Sequence, residues 1–220
     1  NEFSGQIPDV FARLNKLNIL SLRGNNFGGP IPSSLFGLTQ LSQLDCSDNK
    51  LEGPLPNNIT GFSNLTSLKL NANLLNGTIP SWCLSLPSLV YLYLSENQFS
   101  GHISAISSYS LEQLSLSYNK LQGNIPESIF SLVNLTHLDL SSNNLSGSVH
   151  FPLFSKLRNL EMLDLSQNNQ LSLNFKSNVN SSFSNLFYLD LSSMGLTEFP
   201  KLSGKVPNLY FLVLSNNKIK

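Results

Sequence analysis

The 220-residue sequence is poor in charge: Asp, Glu, Lys and Arg make up 12% of it, with 13 acidic side chains against 13 basic ones. An ordinary soluble domain carries about 25%. With neither a basic excess nor a basic run, the chain has nothing to neutralise a phosphate backbone, which excludes nucleic acid as a partner. Cysteine is nearly absent. Two residues are too few for a disulfide scaffold or a cysteine-based metal centre, and no metal or cofactor is expected. No apolar run approaches the roughly 18 residues that span a bilayer. Disorder is excluded as well, because 40% of the residues are hydrophobic and can drive collapse. What the sequence has in place of these features is bias. It holds 44 leucines, 36 serines and 28 asparagines, nearly half of all positions.

The bias is periodic. The pattern L-x-x-L-x-L-x-x-N appears at Leu17-Leu20-Leu22-Asn25, Leu65-Leu68-Leu70-Asn73 and Leu89-Leu92-Leu94-Asn97. It continues at Leu111-Leu114-Leu116-Asn119, Leu135-Leu138-Leu140-Asn143, Leu160-Leu163-Leu165-Asn168 and Leu209-Leu212-Leu214-Asn217. Two copies deviate: Cys46 replaces a leucine before Asn49, and Met194 stands where an asparagine is due. Successive asparagine positions lie 22 to 26 residues apart. A period of this length is the mark of a solenoid, in which each coil buries its apolar side against the next. Alternation of leucine with polar residues predicts a short strand with one buried face. Asn25, Asn49, Asn73, Asn97, Asn119, Asn143, Asn168 and Asn217 are expected to turn inward as a ladder, bonding backbone groups of neighbouring coils. Met194 should leave a gap in it. The expected fold is an α/β solenoid: a leucine-rich repeat right-handed superhelix with a parallel concave sheet, one domain over residues 1–220 with about nine repeats.

A second phrase, x-L-x-G-x-I-P, follows the asparagine, as in Leu51-Gly53-Leu55-Pro56 and Leu121-Gly123-Ile125-Pro126. Gly and Pro mark a turn, and the following x-x-L-x-x-L (Leu35-Leu38, Ile129-Leu132) predicts a short helical turn on the outer side. The phrase decays at Gly101-His102-Ile103-Ser104 and at Gly147-Ser148-Val149-His150 and is gone after Asn168, so the last three coils should be less regular.

L-x-x-L-x-L-x-x-N-x-L-x-G-x-I-P at 24 residues resembles the plant-specific class of leucine-rich repeats. Stretches such as LDCSDNKLEGPLP and LTHLDLSSNNLSGSV are similar to plant receptor-like proteins related to the tomato leaf-mould resistance receptors. The resemblance implies an extracellular module that recognises a peptide or protein ligand in immune or developmental signalling. It also implies a membrane span outside this segment, a short tail without a kinase, and partner co-receptor kinases. Asn1 and Lys220 each fall within a coil, so the chain reads as an uncapped portion of a longer ectodomain or as a truncated product. Two other readings share the repeat: a secreted polygalacturonase-inhibitor-like protein and a receptor-kinase ectodomain.

Candidate sites follow from the strand positions that face away from the core. Ser115, His137 and Asp139 share one side of two adjacent strands, a pattern that superficially suits acyl transfer. Serine recurs along this whole surface, however, and residues two apart on a strand stand roughly 6.5 Å apart. No oxyanion element accompanies them, so no enzyme is expected. Cys46 and Cys83 fall on opposite walls and should stay unbridged.

Acids dominate the same face. Asp45, Asp48, Glu96, Glu112, Asp139, Glu161, Asp164 and Asp190 are set against only Arg23 and Lys69. Either the face attracts a basic partner, or Leu-Asp-Leu-Ser serves a local role. Tyrosines Tyr91, Tyr93 and Tyr118 are read as outward on two neighbouring strands, suited to anchoring a partner. The predicted ligand-binding set is Tyr91, Tyr93, Glu96, Gln113, Tyr118, His137, Asp139 and Asp164. A second aromatic group (Phe187, Tyr188, Tyr210, Phe211) is expected to be covered by a neighbouring loop. Glycosylation motifs occur at Asn58, Asn64, Asn76, Asn134, Asn144 and Asn180, a number that chance alone would give, and they matter only on a secretory route.

Overall fold

A computed structural model describes residues 1–176, 182–202 and 206–220. The chain winds as a leucine-rich repeat solenoid. Nine strands of three residues, beginning with Ile19–Ser21, Gln43–Asp45, Ser67–Lys69 and Tyr91–Tyr93, pair in parallel with their coil neighbours. The sheet continues through Gln113–Ser115, His137–Asp139, Met162–Asp164 and Tyr188–Asp190 and ends at Phe211–Val213. Register is uniform: Leu68, Leu92, Leu114 and Leu138 stand opposite one another on successive strands. All four are at most 1% exposed. A coil cannot bury these leucines by itself, so each strand is held by its two neighbours.

The asparagines occupy the level just beyond the strands. The Asn97 side chain donates to the carbonyls of Leu70, Leu94 and Ser95 and accepts the Leu75 N–H at 3.0 Å. The same set recurs from Asn49 to Asn168, each reaching the preceding coil. No such bond comes from Met194, which sits buried as a hydrophobe, and the pattern resumes at Asn217. Immediately before each ladder position the backbone turns left-handed, at Asp48, Ala72, Glu96, Tyr118, Ser142, Gln167, Ser193 and Asn216. This kink swings the following amide inward.

A second parallel sheet of eight strands lies beside the first, from Ser4–Gln6 through Lys50–Pro54, Leu74–Thr78 and Asn144–His150 to Gln170–Asn174. The glycine phrase is therefore a strand rather than only a turn. Gly53, at φ +84°, sits within one, a conformation that costs glycine nothing. The sheet also outlasts the motif, because Gln170–Asn174 pairs with Ser146–His150 without any glycine of its own. Outer elements are single 3₁₀ turns; Ser33–Gly37, Ser81–Leu84 and Glu127–Ser131 open after a proline.

Candidate docking face

The three-residue strands present two outward columns. One runs Ser67, Tyr91, Gln113, His137, Met162, Tyr188, Phe211; the other runs Asp45, Lys69, Tyr93, Ser115, Asp139, Asp164, Asp190. Tyr91 and Tyr93 therefore flank Leu92 on one strand, half-buried against their neighbours. The Tyr93 hydroxyl donates to the Gln113 amide oxygen. Its ring faces the Lys69 ammonium, 5.5 Å from the centroid, a distance at which a cation is attracted to the ring face. Burial and the neighbouring Tyr91 raise the phenol pKa of Tyr93.

Tyr118 and Glu96 stand elsewhere than expected. Each occupies the left-handed turn after its strand, at φ +51° and +54°, and both are exposed. Tyr118 is expected outward on a strand, but the strand stops at Ser115 and the chain turns at the tyrosine. The tyrosine still projects at the border of the face, 57% exposed.

The aspartates do local work. The Oδ1 atoms of Asp45, Asp139, Asp164 and Asp190 accept the N–H of Ser47, Ser141, Ser166 and Ser192 respectively, at 2.8–3.0 Å. Leu-Asp-Leu-Ser is thus a strand-exit turn, which accounts for its recurrence. The second oxygens differ. Asp139 Oδ2 accepts the Ser115 hydroxyl at 3.5 Å, and Asp190 Oδ2 accepts the Tyr188 hydroxyl at 3.2 Å. Asp164, between them, has no donor to its Oδ2 among the described residues. Burial raises its carboxyl pKa to about 6 against the opposing hydrogen bonds from the Ser166 side chain and N–H, and the charges of Asp139 and Asp190 add to the rise. At the other end of the face, Asp48 is ion-paired with Arg23 at 2.9 Å.

Ser115, His137 and Asp139 do not form a catalytic relay. His137 Nδ1 bonds the Thr136 hydroxyl at 2.8 Å, while Ser115 bonds Asp139 directly. Four clefts of about 360–540 Å³ lie on the loops, lined by such residues as Phe199, Leu17, Phe183 and Ile59, and none of the four touches these three side chains. Cys46 and Cys83 are free and fully buried.

The second aromatic group departs from expectation. Phe187, Tyr210 and Phe211 are 46–74% exposed. They pack on one another, Phe187 stacking on Tyr210 at 5.3 Å, and no loop covers them among the described residues. Of the glycosylation motifs, Asn58, Asn64, Asn76, Asn134 and Asn144 are exposed, and Asn180 lies outside the described residues. Asn64 and Asn134 already donate their amides to Thr39 and Tyr109 carbonyls of the preceding coil.

Those two bonds belong to a second polar ladder that sequence reasoning missed. Ser88, Ser110, Asn159, Asn185 and Asn208 make the equivalent bond, each to a carbonyl one coil back. The available signal was a short polar residue just before the first leucine of every coil from Asn64 onward.

The Leucine Rich Repeat signature matches residues 16–38, 40–62, 88–108 and 134–157, and a second Leucine rich repeat signature matches 103–145. No curated protein matches the sequence. Among solved structures, the PEPR1–AtPEP1 complex superimposes with a TM-score of 0.87 at 28% identity, covering 100% of this chain and 31% of that one. The ectodomain of the plant membrane receptor kinase GASSHO1/SCHENGEN3 from Arabidopsis thaliana, in complex with CASPARIAN STRIP INTEGRITY FACTOR 2, gives 0.74 at 30%, covering 99% and 29%. The Arabidopsis receptor kinase HAESA, with the peptide hormone IDA and the co-receptor SERK1, gives 0.71 at 27%, covering 99% and 40%. The chain spans between about a third and two fifths of these receptor structures. With coils, ladder and repeat signatures all in agreement, the chain is a leucine-rich repeat protein, built like the ectodomains of plant receptors.

Proposed function

We propose that this chain is part of the ligand-binding ectodomain of a plant cell-surface receptor, outside the plasma membrane, and that an extended, basic peptide docks along the nine-stranded sheet. The observation that carries the reading is the register of that face. Tyr91, Tyr93 and Gln113 lie at one level, with Tyr118 and Glu96 at its border. His137, Asp139 and Asp164 continue it on the next two strands. Half-buried tyrosines on a rigid sheet, with the exposed Tyr118 on the adjoining turn, supply anchors at little entropic cost. Six acids, once Asp48 beside Arg23 and Asp45 opposite Lys69 are set aside, favour a cationic partner. Nine strands at roughly 4.8 Å extend about 40 Å, room for about a dozen extended residues. The structural neighbours support the reading, because HAESA is described in complex with a peptide hormone and a co-receptor.

A panel of extended Lys- or Arg-bearing peptides tests it by calorimetry. Tyr93→Ala and Tyr118→Ala should each weaken the tightest binder by at least about tenfold, or 1.4 kcal/mol. Unchanged affinity in both variants removes the mapped face. A receptor-kinase ectodomain is the second reading, favoured because GASSHO1/SCHENGEN3 and HAESA are described as receptor kinases. The presence or absence of a kinase encoded in the same gene separates it from a kinase-less receptor-like protein.

A further inference from the structure

Asp139, Asp164 and Asp190 stand directly opposite one another on three successive parallel strands. Parallel neighbours lie about 4.8 Å apart, and like charges placed directly opposite across a sheet repel. Elsewhere in the same column the sheet avoids this arrangement, since Asp45 is followed by Lys69. Here it does not.

The three carboxylates are unequal in a way that fixes where a proton goes. All three use Oδ1 in the strand-exit turn. Asp139 and Asp190 have a hydroxyl on the second oxygen, from Ser115 and Tyr188. Asp164 makes no such bond on its second oxygen among the described residues; Ser166 alone favours its charged form, and a carboxylate stands on each side of it. The titratable groups around it are Asp139 and Asp190 in its own column, His137 and Tyr188 in the adjacent column, and Glu161 before its strand. No lysine or arginine lies on these three strands.

We propose that the Asp139–Asp164–Asp190 row is a pH switch on the docking face: acidification places one proton on Asp164, lowers the local negative charge by one, and loosens the hold on a cationic partner. This rests on the docking face described above. The physical basis is that two close carboxylates hold a shared proton more strongly than either would alone, so the middle member of three is the first to take one up.

Two measurements on the intact chain test the switch. Carboxyl-carbon NMR titration reads the proton directly, without any ligand. Asp164 should titrate with a midpoint near 6. A single inflection below pH 4.5 for Asp164 overturns the switch, and pH-independent peptide binding alongside it leaves the docking reading standing. In parallel, the peptide Lys-Gly-Lys-Gly-Lys is titrated at pH 7.5 and pH 5.0. In a His137→Gln background, which removes the imidazole from the comparison, binding should be severalfold weaker at pH 5.0 with Asp164 present. It should be equal at both pH values in the added Asp164→Asn, whose amide keeps the Ser166 bond. Equal affinity at both pH values with Asp164 present in that background overturns the switch even if Asp164 titrates. Failure of the peptide to bind at any pH, with the NMR midpoint near 6, overturns the docking reading and the switch that acts through it.

Discussion

Asn217 accepts the backbone N–H of Met194 at 3.1 Å, so the residue that interrupts the asparagine ladder is itself held by the next rung. The ladder therefore tolerates one missing amide where the coil beyond it supplies the acceptor. It should not tolerate loss where every partner is buried.

Asn97 and Met194 make this a quantitative contrast. Asn97 is 8% exposed and makes four side-chain bonds to backbone groups. Asn97→Ala strands those groups away from water, at a cost of about 2–4 kcal/mol. Met194→Leu, at an equivalent position with no bond to lose, should cost under about 1.5 kcal/mol. Urea unfolding of the two variants, compared at equal m-value, checks the ordering.

Tyr118 separates binding from stability. Its side chain is mostly exposed and its φ of +51° suits glycine better than tyrosine. Tyr118→Gly should leave the urea midpoint unchanged or slightly raised, because it relieves left-handed strain worth about 1 kcal/mol. The same variant should weaken the basic peptides by about tenfold, measured by calorimetry. A fall in stability that parallels the fall in affinity would instead make Tyr118 a folding residue.

The leucine rows, the inward asparagines and the outer turns were legible because each is written as one recurring letter at a fixed spacing. Leu68, Leu92 and Leu114 needed only the period to be aligned. The second sheet was not legible, because Lys50–Pro54 contains Gly53 and Pro54, residues that read as a turn. Parallel pairing with the coils on either side overrides that local preference. The second ladder was hidden differently: asparagine and serine share the role, as at Asn64 and Ser88, so no letter repeats. Tyr118 was misplaced for a third reason. Periodicity gives a direction to each side chain but does not mark the residue at which a strand of three stops.

Asp164 predicts a pH dependence of stability as well as of docking. Its pKa is raised on folding to about 6, from 3.8, so the native state binds the extra proton between those values. Stability from this group is fully present below about pH 4 and is lost as pH rises through 6, the reverse of an ion-paired aspartate. Partial solvent access reduces the effect to about 1–2 kcal/mol. Asp164→Asn should thus be more stable than wild type at pH 7 and equal to it at pH 4, by urea unfolding at both values. Equal stability of the two proteins at pH 7 would mean that Asp164 titrates normally.

Cys46 and Cys83 test the core without altering it. Both are free and fully buried, and burial raises the Cys46 thiol pKa to about 12 and that of Cys83 well above the ordinary range. Only the thiolate attacks a disulfide reagent, so neither sulfur should react while the coils stay stacked. Ellman's reagent should find no reactive thiol in the native protein at pH 8 and two after unfolding in guanidinium. Because Cys46 fills a leucine position between Leu44 and the Asn49 rung, its labelling rate in low denaturant reports opening of that coil alone. If Cys46 reacts at the same denaturant concentration as Cys83, the neighbouring coils open as one unit, as nearest-neighbour coupling in a solenoid requires.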